Sequence, residues 1–117
     1  MNLEDFKVIV SDYRSYTLVE FENIKHIDLY NANELTIAFE EGEEKGAKNW
    51  VLDMSKIQFV DSSGLGVISK QARLLQKTSQ KLILLNLQST VRHLITACGL
   101  DWVFEFYSSR EDLPYKE

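Results

Sequence analysis

The chain of 117 residues contains a single cysteine, so it cannot form an intramolecular disulfide. Cys98 lies in an apolar helical stretch, and we predict that it is a small buried hydrophobe. No apolar run approaches the length that crosses a bilayer, and residues 1–15 lack the basic start and apolar core of a signal peptide. These absences predict a cytoplasmic protein without membrane insertion.

A concentrated basic surface is also missing. The 13 Lys and Arg residues are mixed along the chain with 18 Asp and Glu residues, for a net charge of −5. Because nucleic-acid binding requires many cationic contacts to phosphates, we expect no nucleic-acid partner. The length and the apolar fraction of 44% are those of one soluble domain, which we place over residues 1–117.

The residue patterns of common catalytic sites are incomplete. His26 and His93 are far apart, and neither has ligand spacing with Cys98 or a carboxylate, so we predict no metal site. Asp61, Ser62 and His93 are the residue types of a hydrolase triad, but the Gly-x-Ser-x-Gly motif is absent. Hydrolase chemistry is therefore not expected.

Two phosphate-handling alternatives are weak as well. Gly64 and Gly66 supply half of a dinucleotide fingerprint, with no Lys-Ser/Thr pair after them, which leaves open only a weak phosphate or nucleotide contact. Asp53 lies near the end of a buried strand, as the phosphorylated aspartate of a response-regulator receiver does. The receiver's other groups are missing, because Asp12 stands alone after the first strand and no lysine follows the last. We expect no enzyme activity and no cofactor.

Apolar periodicity predicts a small α/β domain: a mixed sheet of four or five strands with helices packed largely on one side. The predicted strands are residues 8–10, 16–21, 50–54, 82–85 and 103–107. The first helix is predicted to begin at Asn31, which has capping-box spacing to Glu34. Strand, helix and strand over residues 50–85 match a right-handed βαβ unit around a parallel pair.

The most informative segment is residues 59–66, Phe-Val-Asp-Ser-Ser-Gly-Leu-Gly, at a predicted helix start. Asp61 or Ser62 could simply cap this helix. A hydroxyl here could also accept a phosphate, because free N–H groups and the helix dipole favour negative charge at a helix N-terminus. A partner docked through Leu65 would then face a dianion, so phosphorylation would release the partner without unfolding the domain.

The segment 59–67, directly after a strand, resembles the signature of the STAS domain, as found in bacterial anti-sigma factor antagonists. The resemblance extends over nearly the whole chain. Asp28 with Leu35 resembles the family's acidic residue before its first helix, and residues 91–100 resemble its third helix and the following turn.

The resemblance implies partner switching. The unphosphorylated antagonist binds an anti-sigma factor that is also an ATP-dependent serine kinase, which frees a sigma factor; phosphorylation releases the antagonist and a serine phosphatase resets it. The implied phosphoserine is Ser62, with Ser63 the weaker candidate. The implied partner-binding or positioning residues are Asp28, Asp61, Ser63, Gly64 and Leu65. A local capping role remains open for Asp28.

One rival function shares the same fold. STAS domains also serve as constitutive binding subunits of stress-sensing or lipid-transport complexes, in which Ser62 would be a cap and not a phosphoacceptor.

Overall fold

The computed structural model describes residues 6–115. Its strands and helices, in chain order, are β1 (Lys7–Asp12), β2 (Thr17–Glu22), β3 (His26–Ile27), α1 (Ala32–Glu44), β4 (Trp50–Asp53), β5 (Phe59–Val60), α2 (Ser62–Gln76), β6 (Leu82–Leu85), α3 (Ser89–Ala97) and β7 (Phe104–Tyr107). Single 3₁₀ turns lie at Asp101–Val103, before β7, and at Arg110–Asp112, after it. Each predicted strand and helix is present, with bounds shifted by a few residues at most.

The main sheet is mixed, as predicted, with the strand order β1-β2-β4-β6-β7. The hairpin pair β1 and β2 is antiparallel, and β2, β4, β6 and β7 are mutually parallel. Two-residue strands β3 and β5, which the sequence pattern did not predict, form a second small parallel sheet.

The central strands are apolar on both faces because both faces are covered. One set of side chains, including Trp50, Leu52, Leu82 and Leu84, belongs to the main core with the helices. The alternate set forms a second cluster against the C-terminal segment, with these members: Tyr16, Leu18, Val51, Ile83, Leu85 and Leu113. All three α-helices therefore cover one face, and the irregular chain end covers the other.

Two local predictions were wrong. Asn31 makes no side-chain cap on α1; its Oδ1 instead accepts a hydrogen bond from the backbone N–H of Asp28 at 2.9 Å. Cys98 is exposed, because α3 ends at Ala97 and Cys98 lies in the turn through Gly99, whose φ is +68°. His93 is also exposed, at the surface of α3.

None of the helices within residues 6–115 has both the length and the apolar composition of a membrane span.

Candidate functional site

The small sheet of β3 and β5 brings two distant segments together. His26 pairs with Phe59 and Ile27 with Val60 in parallel register, and the N–H of Asp61 continues the ladder by donating to the carbonyl of Ile27 at 3.0 Å. Parallel strands end at the same edge of a sheet, so the residues that follow them are neighbours. Asp28 and Asp61 therefore lie on neighbouring segments, with Asp61 at the start of α2 and Asp28 on the loop before α1.

Asp61 makes two different connections through its carboxylate. Its Oδ1 accepts a hydrogen bond from the N–H of Gly64 at 2.9 Å, which caps α2. Its Oδ2 accepts one from the N–H of Leu29 at 3.1 Å, on the loop before α1. The backbone of Asp61 is extended, as an N-cap residue requires, with φ −86° and ψ −177°. Of the two capping residues that the sequence allowed, Asp61 is the one used.

Ser62 is the first residue of α2, and its side chain is exposed. Its hydroxyl makes no hydrogen bond to any residue in the range 6–115, and the backbone N–H groups of Ser62 and Ser63 have no acceptor within that range. These are two of the donors that every helix start leaves unsatisfied. Ser63 is half-buried. The helix start thus presents a free hydroxyl beside two free N–H donors.

A groove of about 420 Å³ runs from both serines along the junction of α1 and α2. Its lining combines acidic, basic and apolar side chains, namely Thr36, Phe39, Glu40, Glu43, Ser62, Ser63, Gly66, Val67, Lys70, Gln71 and Leu74. Gln71 Nε2 donates to Glu43 Oε1 at 2.9 Å and so links the two helices across the groove. Within residues 6–115, no group of three or more His, Cys, Asp or Glu residues could hold a metal ion.

The loop between β3 and α1 is held by its own polar side chains. Asp28 Oδ1 accepts a hydrogen bond from the N–H of Tyr30 at 3.0 Å, and Asn31 Nδ2 donates to the carbonyl of His26 at 2.7 Å. Leu29 and Tyr30 project from this loop with 72% and 89% of their surface exposed. Asp28 therefore does have a local role, and its Oδ2 accepts no hydrogen bond from residues 6–115.

Gly64 and Leu65 lie beneath this surface. A Cβ on Gly64 would stand 2.5 Å from the carbonyl oxygen of Ile27, so only glycine lets α2 approach β3 this closely. Leu65 is 9% exposed and belongs to the main core. Of the predicted site residues, Asp28, Asp61, Ser62 and Ser63 meet at the surface, whereas Gly64 and Leu65 support them from below.

Three exposed apolar residues lie near this edge: Leu29, Tyr30 and Phe59. Only Phe59, as part of the motif, was noted from the sequence. Phe59 is 51% exposed, and its ring meets that of His26 edge-on with centroids 5.9 Å apart. A signal was available for the first two, because Leu29 and Tyr30 interrupt a polar segment without joining the apolar stripe of α1.

Comparison with known proteins places this chain in a family. The STAS domain model matches residues 13–113, and the chain belongs to the STAS domain family. BtrV of Bordetella bronchiseptica, a candidate anti-sigma factor antagonist, is 30% identical over 81 residues, which cover 69% of this chain and 70% of BtrV.

Solved structures show the same fold. An anti-sigma factor antagonist from Mycobacterium paratuberculosis superposes with a TM-score of 0.75 at 22% identity, over 95% of this chain and 92% of that chain. Bacillus SpoIIAA in its phosphorylated form gives 0.67 at 20% identity, over 91% of this chain and 94% of that chain. Unphosphorylated SpoIIAA gives a TM-score of 0.69 at 18% identity, over 92% of this chain and 91% of that chain.

Proposed function

We propose that this chain is a non-enzymatic, cytoplasmic anti-sigma factor antagonist that acts by partner switching. The unphosphorylated form binds an anti-sigma serine kinase and so frees a sigma factor. The kinase transfers the γ-phosphoryl group of ATP to the Ser62 hydroxyl, ADP leaves, and the hydroxyl proton passes to a base of the kinase. A serine phosphatase restores the free serine. The similarity to BtrV and SpoIIAA, which are both described as anti-sigma factor antagonists, supports this class of function.

The observation that carries this proposal is the state of Ser62. Its hydroxyl is exposed and unbonded within the described chain, whereas Asp61 already caps the helix. The rival function, a constitutive binding subunit, would leave Ser62 with a capping role. Because Asp61 is the cap, that role does not account for Ser62. The exposed hydroxyl can enter the active site of another protein without local unfolding.

Phosphorylation at this position separates binding from folding. It adds roughly −1.5 to −2 charges at pH 7. The unsatisfied N–H groups and the helix dipole stabilise this added charge by up to about 2 kcal/mol, so the folded domain tolerates it. The partner instead has to desolvate the dianion at the interface, and a loss of about 3 kcal/mol of binding free energy weakens affinity more than a hundredfold. The phosphate thus acts as a release signal.

Incubation with ATP and a purified anti-sigma serine kinase tests the proposal. We expect label on the wild type and on Ser63→Ala, none on Ser62→Ala, and retained kinase binding by Ser62→Ala. Label that persists in Ser62→Ala and vanishes in Ser63→Ala would reassign the site. Stable binding without label on any variant would support the constitutive subunit instead.

A further inference from the structure

Leu29 and Tyr30 are two consecutive large side chains that stand in solvent with 72% and 89% of their surface exposed. A single exposed apolar residue is ordinary in a folded protein. Two neighbours at the tip of one loop, beside a phosphoacceptor, form an apolar projection that the domain does not use for its own packing. Tyrosine is also among the residues that most often dominate the energy of protein interfaces.

The projection is fixed in place and does not need to be ordered by a partner. Asp28 holds the loop by accepting from the N–H of Tyr30 at 3.0 Å and by donating its own N–H to Asn31 Oδ1 at 2.9 Å. The N–H of Leu29 donates to Asp61 Oδ2 at 3.1 Å. Binding through a preorganised loop loses less conformational entropy than binding through a mobile one.

The loop is also fixed relative to Ser62. Asp61 directly precedes Ser62 and accepts the backbone N–H of Leu29, so the loop that carries Leu29 and Tyr30 is tied to the start of α2. The carboxylate of Asp28 lies at the base of the loop, with an Oδ2 that accepts no hydrogen bond from residues 6–115. An apolar pocket next to a cationic side chain would complement this surface.

We infer that Leu29 and Tyr30 are the apolar anchors by which the serine kinase holds this protein for phosphorylation of Ser62. This inference rests on the proposed function and identifies the surface that the kinase binds. The kinase contributes an apolar pocket beside a basic group, close to its bound nucleotide. A second copy of this chain or a lipid surface would be a different occupant, and each would give a different binding result.

Binding of the purified anti-sigma serine kinase, with ADP present, is measured by calorimetry for the wild type, Leu29→Ser, Tyr30→Ser and the double variant. Trp102→Ser is the matched control, because Trp102 is another large side chain with 62% exposure, on the turn after α3. We expect the double variant to bind about 30-fold more weakly or worse, as for interface hot spots. Trp102→Ser should stay within about twofold of the wild type, as for a residue outside the interface.

Phosphorylation kinetics supply a second readout. Loss of an anchor should raise KM for the protein substrate and leave kcat unchanged, because the Ser62 hydroxyl and its surroundings are intact. Tyr30→Phe should retain the wild-type KM, since the ring and not the hydroxyl fills the pocket. Thermal unfolding of all variants should match the wild type, because the replaced side chains are exposed.

Several outcomes would overturn the inference. If the wild type binds and is phosphorylated while the double variant has the same affinity as Trp102→Ser, Leu29 and Tyr30 are not the anchors. The proposed function then stands. If the wild type is neither bound nor phosphorylated by the kinase, both fail. Concentration-dependent dimerisation or binding to lipid vesicles that the double variant loses, with kinase affinity unchanged, would assign the projection to that other occupant.

Discussion

Asp61 and Leu29 are 32 residues apart in sequence, and the carboxylate of Asp61 accepts the backbone N–H of Leu29 at 3.1 Å. The other oxygen of the same carboxylate caps α2 through Gly64 at 2.9 Å. One side chain therefore joins the start of the helix that carries Ser62 to the loop that displays Tyr30. The two parts of the proposed docking surface cannot shift relative to each other while both bonds hold.

Replacement of Asp61 should loosen both connections. Asp61→Ala removes the cap and the bond to the loop, and we expect it to lower the free energy of unfolding by about 1–2 kcal/mol. Asp61→Asn keeps an oxygen for Gly64 but turns an amide N–H toward the N–H of Leu29, so it should lose only the loop bond. Urea denaturation measures the change in the free energy of unfolding for Asp61→Ala.

Amide hydrogen exchange separates the two variants from a general loss of stability. The Leu29 amide should exchange faster in both Asp61→Ala and Asp61→Asn, whereas the Gly64 amide should lose protection only in Asp61→Ala. Unchanged protection of Leu29 in both variants would show that the carboxylate does not hold the loop in solution.

The two glycines of the motif should respond to alanine in opposite directions. At Gly64 the new methyl would stand 2.5 Å from the Ile27 carbonyl oxygen and 2.7 Å from its Cγ2, so α2 would have to move away from β3. We expect a loss of about 1–3 kcal/mol. At Gly66 nothing lies within 4 Å, and alanine in a helix should add about 0.5–1 kcal/mol. Chemical denaturation of both variants tests the pair, and equal effects at both positions would contradict it.

Sequence patterns were sufficient for the sheet, the three helices and the position of Ser62 at a helix start. The sheet and the helices follow from apolar periodicity, and the position of Ser62 follows from the polar residues and glycines at the start of α2. The contact of Asp61 with Leu29 depends on the pairing of β3 with β5, and two-residue strands carry no readable alternation. The polar groups of Asn31 were misassigned for a related reason, since its partner on the loop is set by the tertiary path of the chain.

Cys98 should be chemically accessible in the folded protein. Its side chain is exposed beyond the end of α3. A thiol reagent such as Ellman's reagent should therefore react with it fully under native conditions, at a rate close to that of the unfolded chain. Cys98→Ala should abolish the reaction and change the free energy of unfolding by less than about 0.5 kcal/mol. Reaction only after addition of denaturant would favour the buried position predicted from the sequence.

The C-terminal side of the sheet should lose stability at alkaline pH. Burial raises the pKa of Tyr107 above its ordinary value, and its hydrogen bond to Glu105 at 3.1 Å raises it further. Burial and the charge of Glu105 likewise raise the pKa of Tyr115. A raised folded-state pKa stabilises the protein below the unfolded tyrosine pKa of about 10, and this contribution is lost as the pH rises through the folded pKa.

Glu105→Gln removes the negative charge that raises the pKa of both Tyr107 and Tyr115. It should lower the pKa of both phenols, detected by phenolate absorbance, and reduce the alkaline loss of stability. Glu41→Gln is the control, because Glu41 is exposed on α1 at the other face of the sheet. An identical titration in Glu105→Gln and the wild type would refute the contact.

Leu113 should act as the main apolar contact of the C-terminal segment on the sheet. It is 8% exposed and packs in the cluster that contains Leu18, Val51 and Ile83, all fully buried. Leu113→Ala should lower the free energy of unfolding by about 2–4 kcal/mol, in the range of other buried leucines. Leu74→Ala, at a position with 38% exposure, should lose less than about 1 kcal/mol.

The Leu113 variant also tests whether the two faces of the sheet act independently. The C-terminal segment covers the face opposite the helices, so Leu113→Ala should leave Ser62 phosphorylation unchanged at temperatures well below unfolding. A free energy of unfolding equal to that of the wild type would mean that the segment does not pack on the sheet. A reduced phosphorylation rate in the folded variant would mean instead that packing on this face is coupled across the strands to the start of α2.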